Sequence, residues 1–538
     1  MVTKRIRSAV YGSPFYRMSL VGRTPNKLQL VPEDLWSSQA ARADELFHGR
    51  YIFAGEEIRS PGRPPWIPDG CSEDWIASLH SFEWLRALKN HGGVAAQRLA
   101  RALVTDWMDV CGRWRPLAWR PDVLGQRVAA LILHAPFLTS DPSDEFTTAF
   151  YQSLTAQTRH LTRVVDQEVA GSRRIAAIRG LVYATLCLSA PARNISNVLA
   201  LLDRELRSQI LPDGGHIERS PKQQCRVLGD LGDVNGLLNA ADVMIPQRLV
   251  ESLDKMAPML RCLRHGDGGL ACFNGSSEGN ADVIDNVLKV SQTDGNPLYN
   301  APFTGFQRVT ANKTTAIMDT GSTTAQEGKI YAGALSLEMS VGKERLVVNC
   351  GPYRGGDNDW RLALCGSAAH STVTIDNRDS IDQNSGLTSL ADVNREEQSG
   401  AVWIDALHKG YESILGLRHR RRLYMDSGGE GVRGEDQIEL VREVSTDGLQ
   451  SRALVARFHL HPSVRASLIR NNDAVLLRLP SGVGWQFHAK GGEISLNESI
   501  YFGDGGVRRR TEQILVSSSM TTGVRVLKWA FQRIAAPT

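Results

Sequence analysis

The chain contains no Cys-x-x-Cys pair and no regular cysteine spacing; its eight cysteines stand singly at positions 71, 111, 187, 225, 262, 272, 350 and 365. That scatter excludes a zinc-finger or disulfide framework and suits individually buried thiols in a reducing compartment. An apolar leader is missing too, because the basic opening MVTKRIR runs into Tyr11, Ser13, Pro14 and Arg17 where a secretion signal would be continuously apolar. No uncharged apolar window reaches the ~18 residues that a membrane span requires. The two absences together lead us to expect a cytoplasmic chain with no membrane partner. Excess charge of one sign is also lacking: 62 Lys and Arg against 58 Asp and Glu leave a net charge of +4. A nucleic-acid partner normally demands a larger basic surplus, so none is expected. The basic runs RHRRR (418–422) and RRR (508–510) flank expected strands and read as solvated rims.

What is present is an ordinary globular composition, 42% apolar and 22% charged, spread over 538 residues. Single cores stop growing near ~250–300 residues, so two large domains are expected. The two halves differ in period. From 79 to 110 the apolar residues Leu79, Phe82, Leu85 and Leu88 recur every three positions, and similar helical patterns cover 123–138, 173–189, 195–211 and 248–263. After about 310 the period becomes two: Leu335, Leu337, Met339 and Val341 alternate with polar neighbours before a Gly342-Lys343-Glu344 turn into 345–350. Further strands are expected at 370–376, 400–407, 420–426, 454–461, 474–479, 484–489 and 513–517. Helices first and strands afterwards indicate two domains in series, a toroid of helical hairpins and stacked antiparallel sheets.

The densest polar cluster follows a stopped helix. In ILPDGGHIERSPKQQ (210–224) an Asp-Gly-Gly turn presents His216, Glu218, Arg219 and Ser220. Three other stretches carry comparable density: RCLRHGDGGLACFNGSSEGN (261–280), KIYAGALS (329–336) and DWRLALCGSAAHSTVTID (359–376). Because they come from both halves, they are candidates to face one another across a domain cleft.

DGGHIERSP, HGDGGLACFNG, YAGALSLEMSVGKERLVVNCG, AAHSTVTID and RFHLHP, in this order, resemble the heparinase II/III superfamily of polysaccharide lyases; LHSFEWLRAL and WRPDVLGQR resemble its helical landmarks. The resemblance runs from about residue 51 to 515 and implies an N-terminal extension (1–50), an incomplete α/α toroid (51–305) and a C-terminal antiparallel β-sandwich (306–538). It also implies β-elimination on an acidic, uronate-containing poly- or oligosaccharide. That reaction requires the carboxylate neutralised, the C5 proton removed and the leaving oxygen protonated, tasks suited to a cation and to tyrosine or histidine. Arg219 falls where relatives place the neutralising Asn, and a guanidinium fork suits a carboxylate.

Several family features are absent. Gln223-Gln224 stand where relatives continue with Tyr-His, no tyrosine lies around 273–275, Lys329-Ile330-Tyr331 replaces a histidine-bearing strand, and Asn349 replaces a metal-site Asp. Structural zinc normally has four ligands and only His370 remains of that set, so no metal and no cofactor are expected.

An active but divergent lyase would use His216, Arg219, Tyr331 and His370 as catalytic groups. Glu218, Ser220, His265, Asn274, Trp360 and Arg361 would bind the substrate, with Trp360-Arg361 as a stacking platform and carboxylate clamp. On that reading, which the His216–Ser220 cluster narrowly favours, Arg219→Ala should abolish turnover and leave the fold intact. Two alternatives stand beside it: a saccharide-binding relative without the chemistry, and a non-catalytic assembly protein with no pocket lined by the four catalytic candidates. Taken without the family, Tyr331 reads first as a packing tyrosine and His459 and His461 as structural, while His370 reads equally as a strand cap.

Overall fold

Helix-forming segments in the first half carry their own start signals. Ser72, Ser143 and Asn194 cap the helices Glu73–Ser81, Asp144–Val164 and Ile195–Gln209 by accepting backbone N–H bonds, while Pro121 and Pro221 open Pro121–Leu133 and Pro221–Ala240. The computed structural model describes residues 9–36, 41–140, 143–167, 171–188, 194–322, 325–326, 329–381, 391–441, 451–520 and 523–534. Within these the helices form an incomplete toroid around one apolar core, to which Trp75, Trp107, Leu124, Ile178 and Leu231 contribute.

The long periodic stretch expected at 79–110 is three helices. Phe82 in the left-handed region (φ 61°) and Gly92 (φ 71°) separate Glu73–Ser81, Leu85–His91 and Gly93–Cys111. Of the helices not anticipated, the two longest, Asp144–Val164 and Pro221–Ala240, bury polar side chains. Pro221–Ala240 buries nearly all round, and its Asp233 pairs with Arg179 at 2.5 Å and accepts from the Trp36 indole at 2.6 Å. Buried polar residues blur the apolar stripe by which a helix is recognised.

The second half is a sandwich of two antiparallel sheets. One runs Glu493–Tyr501, Arg509–Met520, Arg452–Leu460, Glu344–Val348, Leu337–Val341, Thr314–Asp319, Phe306–Ala311 and Asn300–Ala301, with Val373–Ile375 paired to Arg452–Leu460. Its edge strand therefore begins before the expected boundary at 305/306, because Asn300–Ala301 pairs with Phe306–Ala311. The other runs Asp392–Gln398, Ala401–His408, Leu417–Met425, Gly431–Leu440, Val524–Arg533, Gly484–Lys490, Ala474–Arg478 and Arg465–Ile469. Phe458, Phe487, Trp529 and Phe531 fill the space between them.

The RHRRR run shows the strand period directly. Arg418, Arg420 and Arg422 point outward to Glu412, Asp405 and Glu435, whereas His419 and Arg421 point into the core. Both inward groups meet the buried carboxylate of Asp436, Arg421 with two bonds at 2.7 and 2.9 Å.

Among the described residues no helix is long and apolar enough to cross a membrane.

Candidate functional site

The turn at 213–220 is a joint between the two domains. Asp213 accepts from the backbone N–H of Phe303 and Thr304 at 2.8 and 2.7 Å and from the Thr304 hydroxyl at 2.5 Å. Gly215 permits the contact, since a Cβ there would sit 1.7 Å from the Thr304 hydroxyl oxygen. Arg219, itself in the left-handed region (φ 54°), reaches into the sandwich. Its guanidinium pairs with Asp319, donates to the carbonyls of Thr304 (2.5 Å), Gly305 (3.3 Å) and Ser322, and lies 5.0 Å from the Phe306 ring centroid. Asn274 completes the knot, its side-chain amide donating at 3.1 Å to the carbonyl of Arg219 and at 3.1 Å to Asp319.

The remaining candidates are packed in comparable ways. His216 bonds Gln209 at 3.0 Å, and burial lowers its pKa to about 3, so it stays neutral. Glu218 accepts from the Ser172 backbone N–H at 2.8 Å and its hydroxyl at 3.1 Å, holding the start of helix Ser172–Cys187. Ser220 is the buried residue at the head of Pro221–Ala240. His265 lies between Ser340 (2.9 Å) and Glu338 (3.0 Å); burial lowers its pKa while Glu338 opposes the shift. Tyr331 packs under Gly275, where a Cβ would lie 2.5 Å from its hydroxyl, and edge-on to His370 at 6.5 Å between centroids. His370 bonds the carbonyl of Gly366 at 2.8 Å. Trp360 packs against Tyr353 and Phe502 on the short helix Asn358–Ala363, which also carries Arg361. Tyr331 and His370 do meet, as do Arg219 and Asn274, but the ten candidates do not form one open site.

An open site exists nearby. A cavity of about 630 Å³ lies between the helices and the sandwich. None of His216, Glu218, Arg219, Ser220, His265, Asn274, Tyr331, Trp360, Arg361 or His370 lines it. Arg120, Arg173, Lys222, Gln223 and Arg226 line its helical wall together with Asp74 and Glu83, residues 52–57 with Glu56 and Glu57 form another side, and Arg354, Gly505 and Val507 lie on the sandwich side. Arg120 grips Asp122 through two bonds of 2.6 and 2.9 Å, and Arg173 lies 3.8 Å from the same carboxylate. Burial would raise the Asp122 pKa, yet Arg120, with Arg173 and Arg226 beyond, holds it below the usual carboxylate range. Lys222 and Arg226 are one helical turn apart and flank Gln223. The Gln223 side-chain oxygen is buried without a hydrogen-bond partner. No tyrosine or histidine belongs to the described lining.

Sequence reasoning marked Arg120 and Asp122 only as part of WRPDVLGQR and missed Arg173, Lys222 and Arg226. The one available signal was the Lys-Gln-Gln that follows Ser220-Pro221. Asn349, at the expected metal-Asp position, donates to Glu338 at 3.1 Å and accepts from the Ser371 backbone at 2.9 Å. Among the described residues no group of three His, Cys, Asp or Glu is placed to hold a metal ion.

A helical toroid followed by an antiparallel sandwich is the fold shared with solved heparinase III. The chain belongs to the heparinase II/III family: residues 71–293 match the heparinase II/III N-terminus and residues 293–530 the heparinase II/III-like C-terminal domain. Among solved structures it is similar to heparinase III (TM-score 0.75, 16% identity, 99% of this chain and 92% of the other). The chondroitin AC lyase of Streptomyces coelicolor A3, solved with chondroitin sulphate, is also similar (TM-score 0.55, 11% identity, 92% and 79%). Among curated proteins the chain is 29% identical to FtsZ-localized protein C of Caulobacter vibrioides, over 96% of this chain and 92% of that one.

Proposed function

We propose that this protein binds an acidic saccharide in the cleft between toroid and sandwich and does not cleave it. The observation that carries the reading is the cleft's chemistry. Its lining carries six cations, Arg42, Arg120, Arg173, Lys222, Arg226 and Arg354, against the five carboxylates Glu56, Glu57, Asp74, Glu83 and Asp122. It places Lys222, Arg226 and the Gln223 amide side by side, and contains no tyrosine or histidine to exchange the protons of β-elimination. Gln223 occupies the place where the family resemblance leads one to expect a tyrosine, and its unpartnered oxygen suits a sugar hydroxyl as donor. The histidines and the tyrosine nominated for catalysis lie in packed contacts away from this lining, which further supports binding without turnover.

β-Elimination leaves a C4–C5 double bond that absorbs in the ultraviolet. The expected result is no absorbance gain on heparin, hyaluronan, alginate or glucuronan, together with calorimetric binding to at least one of them. Replacing Lys222 and Arg226 together by alanine should weaken binding at the cleft by about tenfold or more, the order expected for losing charge-assisted bonds. Growth of the ultraviolet signal on any of the four polymers would overturn the reading.

The Caulobacter relative favours a second element, a place for this chain in an FtsZ-associated assembly. A fluorescent fusion should then gather at FtsZ rings and disperse when FtsZ is depleted; a diffuse signal in cells with intact rings would refute this element.

A further inference from the structure

The outward face of the second sheet carries a feature that neither its packing nor the cleft explains. Strand register places five outward residues in one row, Trp403, Tyr424, Arg433, Ala530 and His488, each directly opposite the next. Ala530 is the smallest, so the row dips between Arg433 and His488. The dip is a groove of about 410 Å³. Trp403 remains 43% exposed and lies against Tyr424 with ring centroids 4.6 Å apart, forming a two-ring platform at one end. Arg433 covers the far side of Tyr424 at 5.8 Å. The adjacent row adds Arg422, Lys528 and Lys490 around a single lining carboxylate, Glu435. Arg422 and Lys528 both contact that carboxylate, at 2.5 and 3.3 Å, and Arg422 also pairs with Asp405 at 3.1 Å at the edge of the row, so the patch still holds four cations against two carboxylates.

We infer that this groove is a second saccharide site, separate from the cleft, that takes an acidic sugar chain. An exposed tryptophan stacked on a tyrosine offers apolar ring faces to the C–H face of a pyranose, and flanking guanidinium and ammonium groups complement carboxylate or sulfate. Charge complementarity selects the occupant. A neutral glycan would use the rings alone and ignore the cations, and the low concavity suits a chain lying across the strands.

Calorimetry with hyaluronan and heparin decasaccharides, which separate carboxylate from sulfate recognition, and with neutral dextran decides the matter. Full-length Trp403→Ala should lose about tenfold or more in affinity for the sandwich site. Ala530→Leu, which fills the dip and removes no contact, should do the same, and dextran should not bind. The Lys222→Ala/Arg226→Ala protein should retain this site, so failure of the cleft reading stays distinguishable. Circular dichroism checks that each variant is folded. The inference is overturned if neither acidic decasaccharide binds the wild type, if Trp403→Ala and Ala530→Leu bind them unchanged, or if dextran binds equally well. It is likewise overturned if a concentration-dependent dimer is found that Ala530→Leu dissolves, which would assign the face to a second copy.

Discussion

Lowering the pH to about 4.5 should unfold this protein, because it holds several histidines in neutral form that the unfolded chain would protonate readily. Burial brings His80, His216 and His459 to about 3 and His134 and His160 to about 4, with neighbouring arginines adding to the effect at all but His216. A folded-state pKa below the unfolded value of ~6.5 means that the stability is fully present above pH ~6.5 and is lost as pH falls. Each such histidine contributes a slope of about 1.4 kcal/mol per pH unit, so the five together approach roughly 7 kcal/mol per unit. A domain stability of ~5–15 kcal/mol is then exhausted within about two units below 6.5. Tryptophan fluorescence and near-ultraviolet circular dichroism against pH measure this directly, and native signals persisting at about pH 4.5 would refute it. His134 provides an internal check. Both its ring nitrogens lack hydrogen-bond partners, so His134→Leu should flatten the slope by about 1.4 kcal/mol per unit without breaking any bond.

Arg219→Ala should destabilise the folded chain by about 3–5 kcal/mol, the usual consequence of removing one member of a buried ion pair. This reverses the expectation that the substitution spares the fold. Without the guanidinium, Asp319 keeps Asn274 and the Gly321 backbone N–H as donors among the described residues, the Gly305 carbonyl keeps the Thr320 N–H at 2.9 Å, and the carbonyls of Thr304 and Ser322 lose the guanidinium. Urea denaturation of the two proteins gives the difference; a loss below about 1 kcal/mol would show that the pair does not hold the domains together. The paired replacement Arg219→Met with Asp319→Leu should recover much of the loss, because both desolvated charges disappear together.

The two predictions rest on burial, and burial is where sequence and structure part. The RHRRR run was legible as a strand, since its alternation survives in Arg418, Arg420 and Arg422 facing outward while His419 and Arg421 face the core. Leu337 and Met339 were equally legible as core positions. Glu338 between them reads as solvent-facing, yet it is fully buried because the helical domain covers that face and supplies His265 and the Cys272 backbone as partners. A local period reports which residues share a face; it carries no information about what covers the face. For the same reason Pro221–Ala240, polar in sequence and central in space, escaped recognition.

By itself the sequence determined the helical-then-stranded order, the toroid-plus-sandwich architecture and the heparinase II/III family, because periods, caps and motif order are local properties of the chain. Only the tertiary structure decided which polar groups meet. Arg219 finds Asp319 across 100 residues of chain and the Thr304 carbonyl across 85, contacts that no spacing rule predicts. Desolvating that guanidinium is tolerable only with those partners in place, so the polar turn at 213–220 became a domain joint. The open cleft fell instead to Lys222, Gln223 and Arg226, a few residues further along, where the first turn of helix Pro221–Ala240 borders the cavity.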